Sequence, residues 1–344
     1  MVKEYDEMAK AIKLSDIAEV VGVSTVTVSK ALSDKAGVSD EMRAKIKEVA
    51  DELGYVTKST VKSHLLETNN IGIIIPGRFF ENSSFYWQFY HRIVSLLSEY
   101  GYFSMLEIIT GEAEKSLEIP KLIQDQKVDG IILIGQAHRG YIDHIAQLPV
   151  PSIVLDSYDA HTEYDTVISD GYYGMYILTD YLLKMGHRRI GFVGTILSTS
   201  SITDRYFGYC KALLEAGIQP NPEWIIPDRG ESEKILSEFN LPENLPTAFA
   251  CNCDLTAYYL INQLNERSIK VPEDISVVGF DNYLYPQLSD VAITTYEVNM
   301  DDMVKCCVDN LLKKIKNEYY IKGTCIVTGS LIIKESVKEF KTEA

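Results

Sequence analysis

The sequence predicts a small all-α helix-turn-helix domain at the N-terminus, followed by an α/β core of two lobes with parallel, doubly wound sheets. Residues 14–53 carry apolar side chains at helical spacing and show no strand signal. From Ile71 onward, short hydrophobic strand runs alternate with amphipathic helices, as in a parallel sheet covered on both faces. Two such halves meet near Ser169, so we expect ligand crevices at the carboxyl ends of their strands.

The segment 14–32 predicts the helix-turn-helix itself. A first helix ends in the tight turn Gly22-Val23-Ser24, and Ser24 caps a second helix that starts at Thr25. The first two turns of that helix carry hydroxyls, methyl groups and an amine, which are groups that contact phosphates and base edges in the major groove. The spacing alone also fits a solvated helical hairpin. The predicted DNA-contacting residues are Ser24, Thr25, Val26, Thr27, Ser29 and Lys30.

A third helix completes the N-terminal domain. Ser39 is its predicted N-cap, and Gly54 ends it. The negative charges of Asp40 and Glu41 in the first turn interact favourably with the positive end of the helix dipole. Three helices this short are stable only if their apolar faces pack together.

The core then alternates strands with helices in chain order. Strands that are hydrophobic along their whole length need helices on both sheet faces, which predicts the doubly wound lobes. The predicted strands are NIGIIIP, YFSMLEII, DGIILIG, PSIVLDS, RIGFVGT, AFACN and DISVVGFD, and the predicted helices are 89–100, 116–126, 173–185, 205–216 and 256–267.

The composition excludes several classes of protein. The 344 residues are 46% hydrophobic and 24% charged, which is typical of a globular chain rather than a disordered or fibrous one. The first residues lack the apolar stretch of a signal peptide, and no apolar run approaches the ~20 residues that cross a bilayer. Six cysteines in a chain of this length do not form a disulfide framework. We therefore expect a cytoplasmic protein with no membrane partner.

The net charge of −16 argues against nucleic acid, because neutralised phosphates supply most of the affinity for DNA. Between residues 14 and 66, seven basic side chains are outnumbered by eight acidic ones. A DNA-binding surface then requires that the lysines face DNA and the acids face away, with helix N-termini adding donors to phosphate.

Four motifs together resemble the LacI/GalR family of bacterial transcriptional regulators. They are DIAEVVGVSTVTVSKAL, VSDEMRAKIKEVADELGY, GHRRIGFVG and VPEDISVVGFDN, and they occur in the family's order across nearly the whole chain. The resemblance implies a DNA-binding headpiece at 11–58, a hinge at 59–69 that becomes helical on operator DNA, and a periplasmic-binding-protein-like (type I) core at 70–344. It also implies a repressor that binds a near-palindromic operator as a homodimer, with a tetramer as the alternative, and a small-molecule effector, a sugar, between the lobes. The N-lobe is expected at about 70–168 and 299–323, and the C-lobe at about 169–298 and 324–344.

The hinge departs from the family pattern. Where members commonly read Ala-Arg-Ser-Leu, this chain reads Val61-Lys62-Ser63-His64, followed by Leu65. Lys62 is expected to hold minor-groove phosphates. Since a wedge that opens a base step is usually apolar, Leu65 is favoured over His64 for that role. A disordered tether is the alternative.

Aromatic and charged residues near strand ends predict the effector site. Phe85 and Tyr86 lie where the family presents cleft aromatics, and the C–H faces of sugars pack on such rings. Arg205 lies where related regulators place an effector-binding arginine, and Asp281 ends the strand DISVVGFD. Together they would clamp vicinal hydroxyls or an anionic group. Asp156, at the end of PSIVLDS, is a weaker candidate of the same kind. A structural salt bridge or a loop cap is the alternative for Arg205 and Asp281.

No pattern in the sequence predicts catalysis, a metal or a cofactor. The six histidines lack HExxH spacing, and the cysteines lack paired partners at zinc-site spacing. The sequence contains no Walker loop, no GxGxxG after a strand and no GxSxG elbow. We therefore expect no enzyme. The alternative to a DNA-binding regulator is a cytoplasmic sugar-binding or sensing protein without DNA binding.

Overall fold

The computed structural model describes residues 14–32, 37–52, 68–80, 84–158, 164–230, 234–283 and 290–341. The chain divides into two compact units after Thr68. Lys62, His64 and Leu65 of the predicted hinge lie outside the described residues.

The first unit contains three short helices that share one apolar cluster. Helix α1 is Leu14–Val21, α2 is Thr25–Leu32 and α3 is Asp40–Glu52. Each helix contributes two small or branched side chains to the cluster, so no helix buries its apolar face alone. The buried residues are Ile17, Ala18, Val28, Ala31, Ile46 and Ala50.

The turn between α1 and α2 depends on glycine. Gly22 has φ +76°, in the left-handed region that residues with a Cβ seldom adopt. The amides of Gly22 and Val23 both donate to the carbonyl of Ala18, at 2.9 Å and 3.1 Å, which satisfies the end of α1. The predicted helix-turn-helix is confirmed in its backbone geometry.

The N-lobe of the second unit is built on a parallel six-stranded sheet. Its strands are β1 (Asn70–Pro76), β2 (Phe103–Ile109), β3 (Gly130–Ile134), β4 (Ser152–Leu155), β5 (Thr166–Ser169) and β11 (Thr324–Val327), in the order β11-β5-β4-β3-β1-β2. Its helices are α4 (Gly77–Phe80), α5 (Ser84–Glu99), α6 (Gly111–Ser116), α7 (Lys121–Gln124), α8 (Arg139–Ala146) and α12 (Met300–Ile315).

The C-lobe repeats this arrangement with a second six-stranded sheet. Its strands are β6 (Ile190–Val193), β7 (Ile225–Ile226), β8 (Ala248–Cys251), β9 (Ser276–Asp281), β10 (Thr294–Glu297) and β12 (Ser330–Ile332), in the order β12-β10-β9-β8-β6-β7. Its helices are α9 (Gly171–Lys184), α10 (Ser200–Glu215) and α11 (Asp254–Glu266), with a 3₁₀ turn at Pro222–Trp224. Strand β12 pairs antiparallel to β10, and the other pairings in this sheet are parallel.

Two expectations from the sequence are wrong in detail. The lobe boundary expected at 323/324 falls after Val327, because Thr324–Val327 pairs in register with Thr166–Ser169 of the N-lobe sheet. The single helix expected at 116–126 is two short helices, α6 and α7. Leu117 ends the first with φ +57°, and Pro120 stands before the second.

The chain crosses between the lobes three times, at 169–171, 297–300 and 327–330. Among the described residues, no helix is both long and apolar enough to span a membrane. In the same part of the chain, no group of His, Cys, Asp and Glu side chains is arranged to hold a metal ion.

Candidate functional site

Helix α2 is fixed at both of its ends. At the start, Ser24 Oγ accepts a hydrogen bond from the Thr27 amide at 3.1 Å, as predicted for a cap. At the other end, Arg43 of α3 donates from Nη1 to the carbonyl of Ala31 at 3.0 Å. Arg43 therefore contributes to the structure of the helix cluster, which leaves Lys30 as the basic side chain on α2 itself.

The two sides of α2 differ sharply in exposure. Val28 and Ala31 are buried against α1 and α3, whereas Val26 is 62% exposed. The exposed side of α2 therefore carries a methyl-bearing side chain, hydroxyls and an amine, which are the kinds of group that contact base edges and phosphates. The predicted residues Ser24, Thr25, Val26, Ser29 and Lys30 are exposed, and Thr27 is half-buried.

Replacing Ser24 by alanine is expected to destabilise α2, because the Thr27 amide loses its acceptor. A lost N-cap costs about 1 kcal/mol. We expect faster hydrogen exchange at the α2 amides of the full chain. Ser29→Ala, which removes an exposed hydroxyl from the middle of the same helix, is the control and should not accelerate exchange. Equal acceleration in both variants would contradict the assigned cap.

A cavity of about 100 Å³ lies between the two lobes of the second unit. The N-lobe contributes aromatic and acidic side chains, and the C-lobe contributes an arginine from α10 and an aspartate from the end of β9. The sequence-predicted residues are thus brought together from distant parts of the chain. The five are Phe85, Tyr86, Asp156, Arg205 and Asp281.

Arg205 and Asp281 form a buried ion pair in the cavity wall, with Nη2 and Oδ1 3.0 Å apart. Arg205 also donates from Nη1 to the carbonyl of Asn252 at 2.6 Å, and its guanidinium lies 3.8 Å from the ring centroid of Phe280. Burial raises the pKa of Asp281, although Arg205 opposes the shift. The structural salt bridge, which was the alternative to a ligand-binding role, is therefore present, and the same two side chains also line the cavity.

Asp156 and Tyr86 form the opposing polar group on the N-lobe. The Tyr86 hydroxyl donates to Asp156 Oδ2 at 3.0 Å. Burial raises the pKa of Asp156 to about 7; Arg205 and the Tyr86 hydrogen bond lower it, and Asp281 raises it. Near neutral pH this carboxyl can accept a hydrogen bond or donate one, which suits a hydroxyl of a ligand.

Both strand-end aspartates have unusual backbone conformations. Asp156 has φ +64° and Asp281 has φ +99°, in the region that favours glycine. Such conformations cost about 1 to 3 kcal/mol each and concentrate at ligand sites, where the surrounding structure holds them. These two backbone conformations place both carboxyl groups in the wall of one cavity.

Asp156→Asn is expected to change how stability depends on pH. Because the folded-state pKa lies above the ordinary value of 3.8, this carboxyl stabilises the fold fully below pH 3.8 and loses that contribution as pH rises to about 7. The asparagine variant keeps an acceptor for Tyr86 but stays neutral. The difference in free energy of unfolding between the variant and the wild type should therefore shift by about 1 to 4 kcal/mol in favour of the variant between pH 4.5 and pH 7.5.

Urea denaturation at a series of pH values measures this difference. Asp125→Asn removes an exposed carboxyl and is the matched control, for which no such gain is expected. Parallel pH profiles for Asp156→Asn and the wild type would contradict the assignment.

Several polar residues of the cavity wall were not predicted from the sequence. Arg78 lies just after β1, where it pairs with the buried Glu114 at 2.5 Å, and Asn252 lies just after β8. Both residues follow the end of a strand, and that position is the sequence feature from which they could have been predicted. Arg229 comes from an irregular segment that carries no periodic pattern. The missed polar residues are Arg78, Thr199, Ser201, Arg229, Lys234 and Asn252.

Hydrogen bonds join the lobes beside the cavity. Gln136 Oε1 of the N-lobe accepts from the Ser200 amide at 2.9 Å. The Tyr158 hydroxyl donates to Asp204 Oδ1 at 2.7 Å. Both C-lobe partners lie in the first turns of α10, next to Arg205. The helix that carries the cavity arginine therefore also carries contacts that hold the lobes together.

Two known protein families match parts of the chain. Residues 13–61 match the family described as "Bacterial regulatory proteins, lacI family", which covers α1, α2 and α3. Residues 179–337 match the "Periplasmic binding protein-like domain", which includes the arginine and the strand-end aspartate of the C-lobe wall.

Two curated relatives resemble the chain over most of its length. The ribose operon repressor of Haemophilus influenzae is 27% identical over 337 residues, which is 95% of this chain and 99% of the relative. The HTH-type transcriptional repressor PurR of Pasteurella multocida is 26% identical over 331 residues, covering 94% and 98%. These relatives are repressors and not enzymes, in agreement with the prediction that the chain is no enzyme.

Solved structures confirm the predicted fold. The transcriptional regulator CelR in complex with cellobiose has a TM-score of 0.67 at 21% identity, over 94% of this chain and 99% of that one. The lac repressor dimer bound to operator and the anti-inducer ONPF has a TM-score of 0.65 at 22% identity, over 96% and 100%. The shared architecture is a helix-turn-helix domain followed by a type I periplasmic-binding-protein-like core.

Proposed function

The chain belongs to the LacI family of bacterial transcriptional regulators, and we propose that it represses transcription from a near-palindromic operator under the control of a sugar bound between its lobes. The observation that carries the proposal is the convergence of five predicted residues from two lobes on one cavity, in a chain that also has a DNA-binding headpiece.

The DNA contact is assigned to the exposed side of α2. Its hydroxyls suit phosphates and base edges, Val26 suits a thymine methyl group, and Lys30 suits guanine or phosphate. With Arg43 occupied at the end of α2 and basic side chains outnumbered by acidic ones between residues 14 and 66, one headpiece offers no excess of positive charge. A pair of headpieces is therefore needed, and the chain acts as a cytoplasmic homodimer that reads two half-sites.

The chemistry of the cavity favours a sugar. Each sugar hydroxyl both donates and accepts, and the Arg205–Asp281 pair presents a donor and an acceptor side by side. Asp156 offers a second carboxyl from the opposite lobe, and the rings of Phe85 and Tyr86 offer faces for C–H groups. A volume of about 100 Å³ admits a few water-sized groups, which favours a compact ligand. The relatives named for ribose and cellobiose agree with this class.

Control of DNA binding follows from differential contact with the two lobes. A ligand that touches Arg205 and Asp156 at once binds the closed lobes more tightly than separated ones. Its binding free energy then shifts the relative placement of the paired lobes, and with it the spacing of the headpieces. Coupling of this kind is worth about 1 to 3 kcal/mol, or about 5- to 150-fold in operator affinity.

A thermal-shift screen of the full chain tests the effector class. Monosaccharides, disaccharides, sugar phosphates and nucleobases are compared at equal concentration, because a ligand raises the melting temperature according to its concentration over Kd. We expect a neutral sugar to give the largest rise. A rise confined to nucleobases would contradict the sugar assignment while leaving the DNA-binding assignment in place.

A further inference from the structure

Two cysteine side chains from different elements of the N-lobe are in contact. Cys306 lies on α12 and Cys325 on β11, and their Sγ atoms are 2.8 Å apart. Both are free thiols and both are half-buried, so small solutes can reach them. Their neighbour Cys307 is fully buried.

We propose that Cys306 and Cys325 form a site of reversible oxidation, at which a hydroperoxide converts the two thiols into an intrachain disulfide. Contact between a half-buried thiol and a second cysteine is the arrangement of an oxidisable cysteine beside its resolving partner. In a reducing compartment such a bond is transient and typical of redox sensing.

The two thiols react in turn. One of them, as its thiolate, attacks hydrogen peroxide; the O–O bond breaks, and a sulfenic acid and hydroxide form. The Sγ atom of the other cysteine then attacks the sulfenic sulfur, the S–O bond breaks, and hydroxide leaves with the proton of that second thiol as water. The thiols lose two electrons to the peroxide, and a dithiol reductant reverses the change.

The pair lies beside the segments that connect the lobes. Strand β11 leads into the third crossing. In that crossing, the Gly329 amide donates to the Tyr296 hydroxyl at 2.7 Å, and Tyr296 lies in β10, just before the second crossing. The Asp170 amide of the first crossing donates to the Val327 carbonyl at 3.0 Å. Strand β11 thus contacts the first crossing and leads directly into the third, yet it is an edge strand paired only with β5 among the described strands. A disulfide from Cys325 would fasten this edge strand to α12.

Oxidation is therefore expected to stiffen the junction between the lobes. A covalent link across the 19 residues that separate the two cysteines should raise the melting temperature by a few degrees. Amide exchange at 166–170 and 326–330 should slow in the oxidised chain. These readouts need neither DNA nor effector, so their failure is distinct from failure of the proposed function.

The test is treatment of the full chain with hydrogen peroxide, followed by mass spectrometry and thiol counting. We expect loss of two hydrogen atoms, loss of two of the six thiols, one peptide pair joined through Cys306 and Cys325, and full reversal by dithiothreitol. Cys306→Ser and Cys325→Ser should each form no disulfide, and at least one of the two variants should stop at a sulfenic acid that dimedone traps. Cys210→Ser, which alters a half-buried cysteine of the C-lobe, should behave as the wild type.

Three results would overturn the proposal. One is that all six thiols survive peroxide. Another is a disulfide that joins two chains or includes Cys307. The third is that neither Cys306→Ser nor Cys325→Ser gives a sulfenic acid that dimedone traps.

Discussion

Arg205→Ala is expected to reduce sugar affinity by about 10- to 150-fold, because the ligand loses a fixed, charged donor in the cavity wall and a hydrogen bond to a charged group is worth about 1.5 to 3 kcal/mol. Operator binding should survive and no longer respond to the sugar. The variant also leaves Asp281 buried without its partner, and breaking a buried pair costs about 3 to 5 kcal/mol. The melting temperature of the unliganded chain should therefore fall as well. Calorimetric titration and operator binding measure the two effects.

A second variant separates ligand contact from general destabilisation. Arg205→Ala combined with Asp281→Asn removes the unpaired charge and should recover part of the melting temperature without recovering sugar affinity. Arg188→Ala, at an exposed arginine of the same lobe, is the matched control and should leave both unchanged. Recovery of sugar affinity in the double variant would show that Arg205 acts only through the stability of the lobe.

Val26→Glu is expected to reduce operator affinity by at least about 100-fold, since it replaces a methyl contact by a carboxylate among phosphates. The fold should be unaffected because Val26 is 62% exposed. Val20→Glu is a close control, as Val20 is 61% exposed, lies on α1 and gives the same change in charge. Fluorescence anisotropy with labelled operator DNA compares the two variants.

The pair of variants distinguishes a specific contact from a change in net charge. We expect Val20→Glu to stay within a fewfold of the wild type. Equal losses in both variants would mean that net charge, and not the exposed side of α2, determines affinity. An unchanged affinity in Val26→Glu would remove that side of α2 from the DNA interface.

Local chemistry explains which parts of the fold were predictable. The turn at Gly22 and the cap at Ser24 depend on one backbone conformation and one hydroxyl, and both can be recognised in a short stretch of sequence. The lobe boundary at Val327 could not be found in this way. Strand β11 has only four residues and an alternating exposure pattern, and its place in the N-lobe sheet is decided by pairing with β5, 158 residues earlier.

The effector site was predictable wherever its residues follow strand ends. Asp156 and Asp281 meet because the carboxyl ends of parallel strands face the same crevice in each lobe. Arg229 and Lys234 reach the cavity from an irregular segment, so no periodic pattern marks them. From the sequence, a salt bridge was only the alternative for Arg205 and Asp281, since their direct bond depends on the packing of α10 against the end of β9.

Operator affinity with and without the sugar shows whether the chain is a sugar-controlled repressor. The full chain is used to select a binding site from random DNA, and its affinity for that site is measured with and without the sugar that raises its melting temperature. We predict a near-palindromic site and a change in affinity of at least about fivefold on adding the sugar. Failure to retain any specific DNA at low ionic strength, whether the sugar is present or absent, would show that the chain is not a DNA-binding regulator.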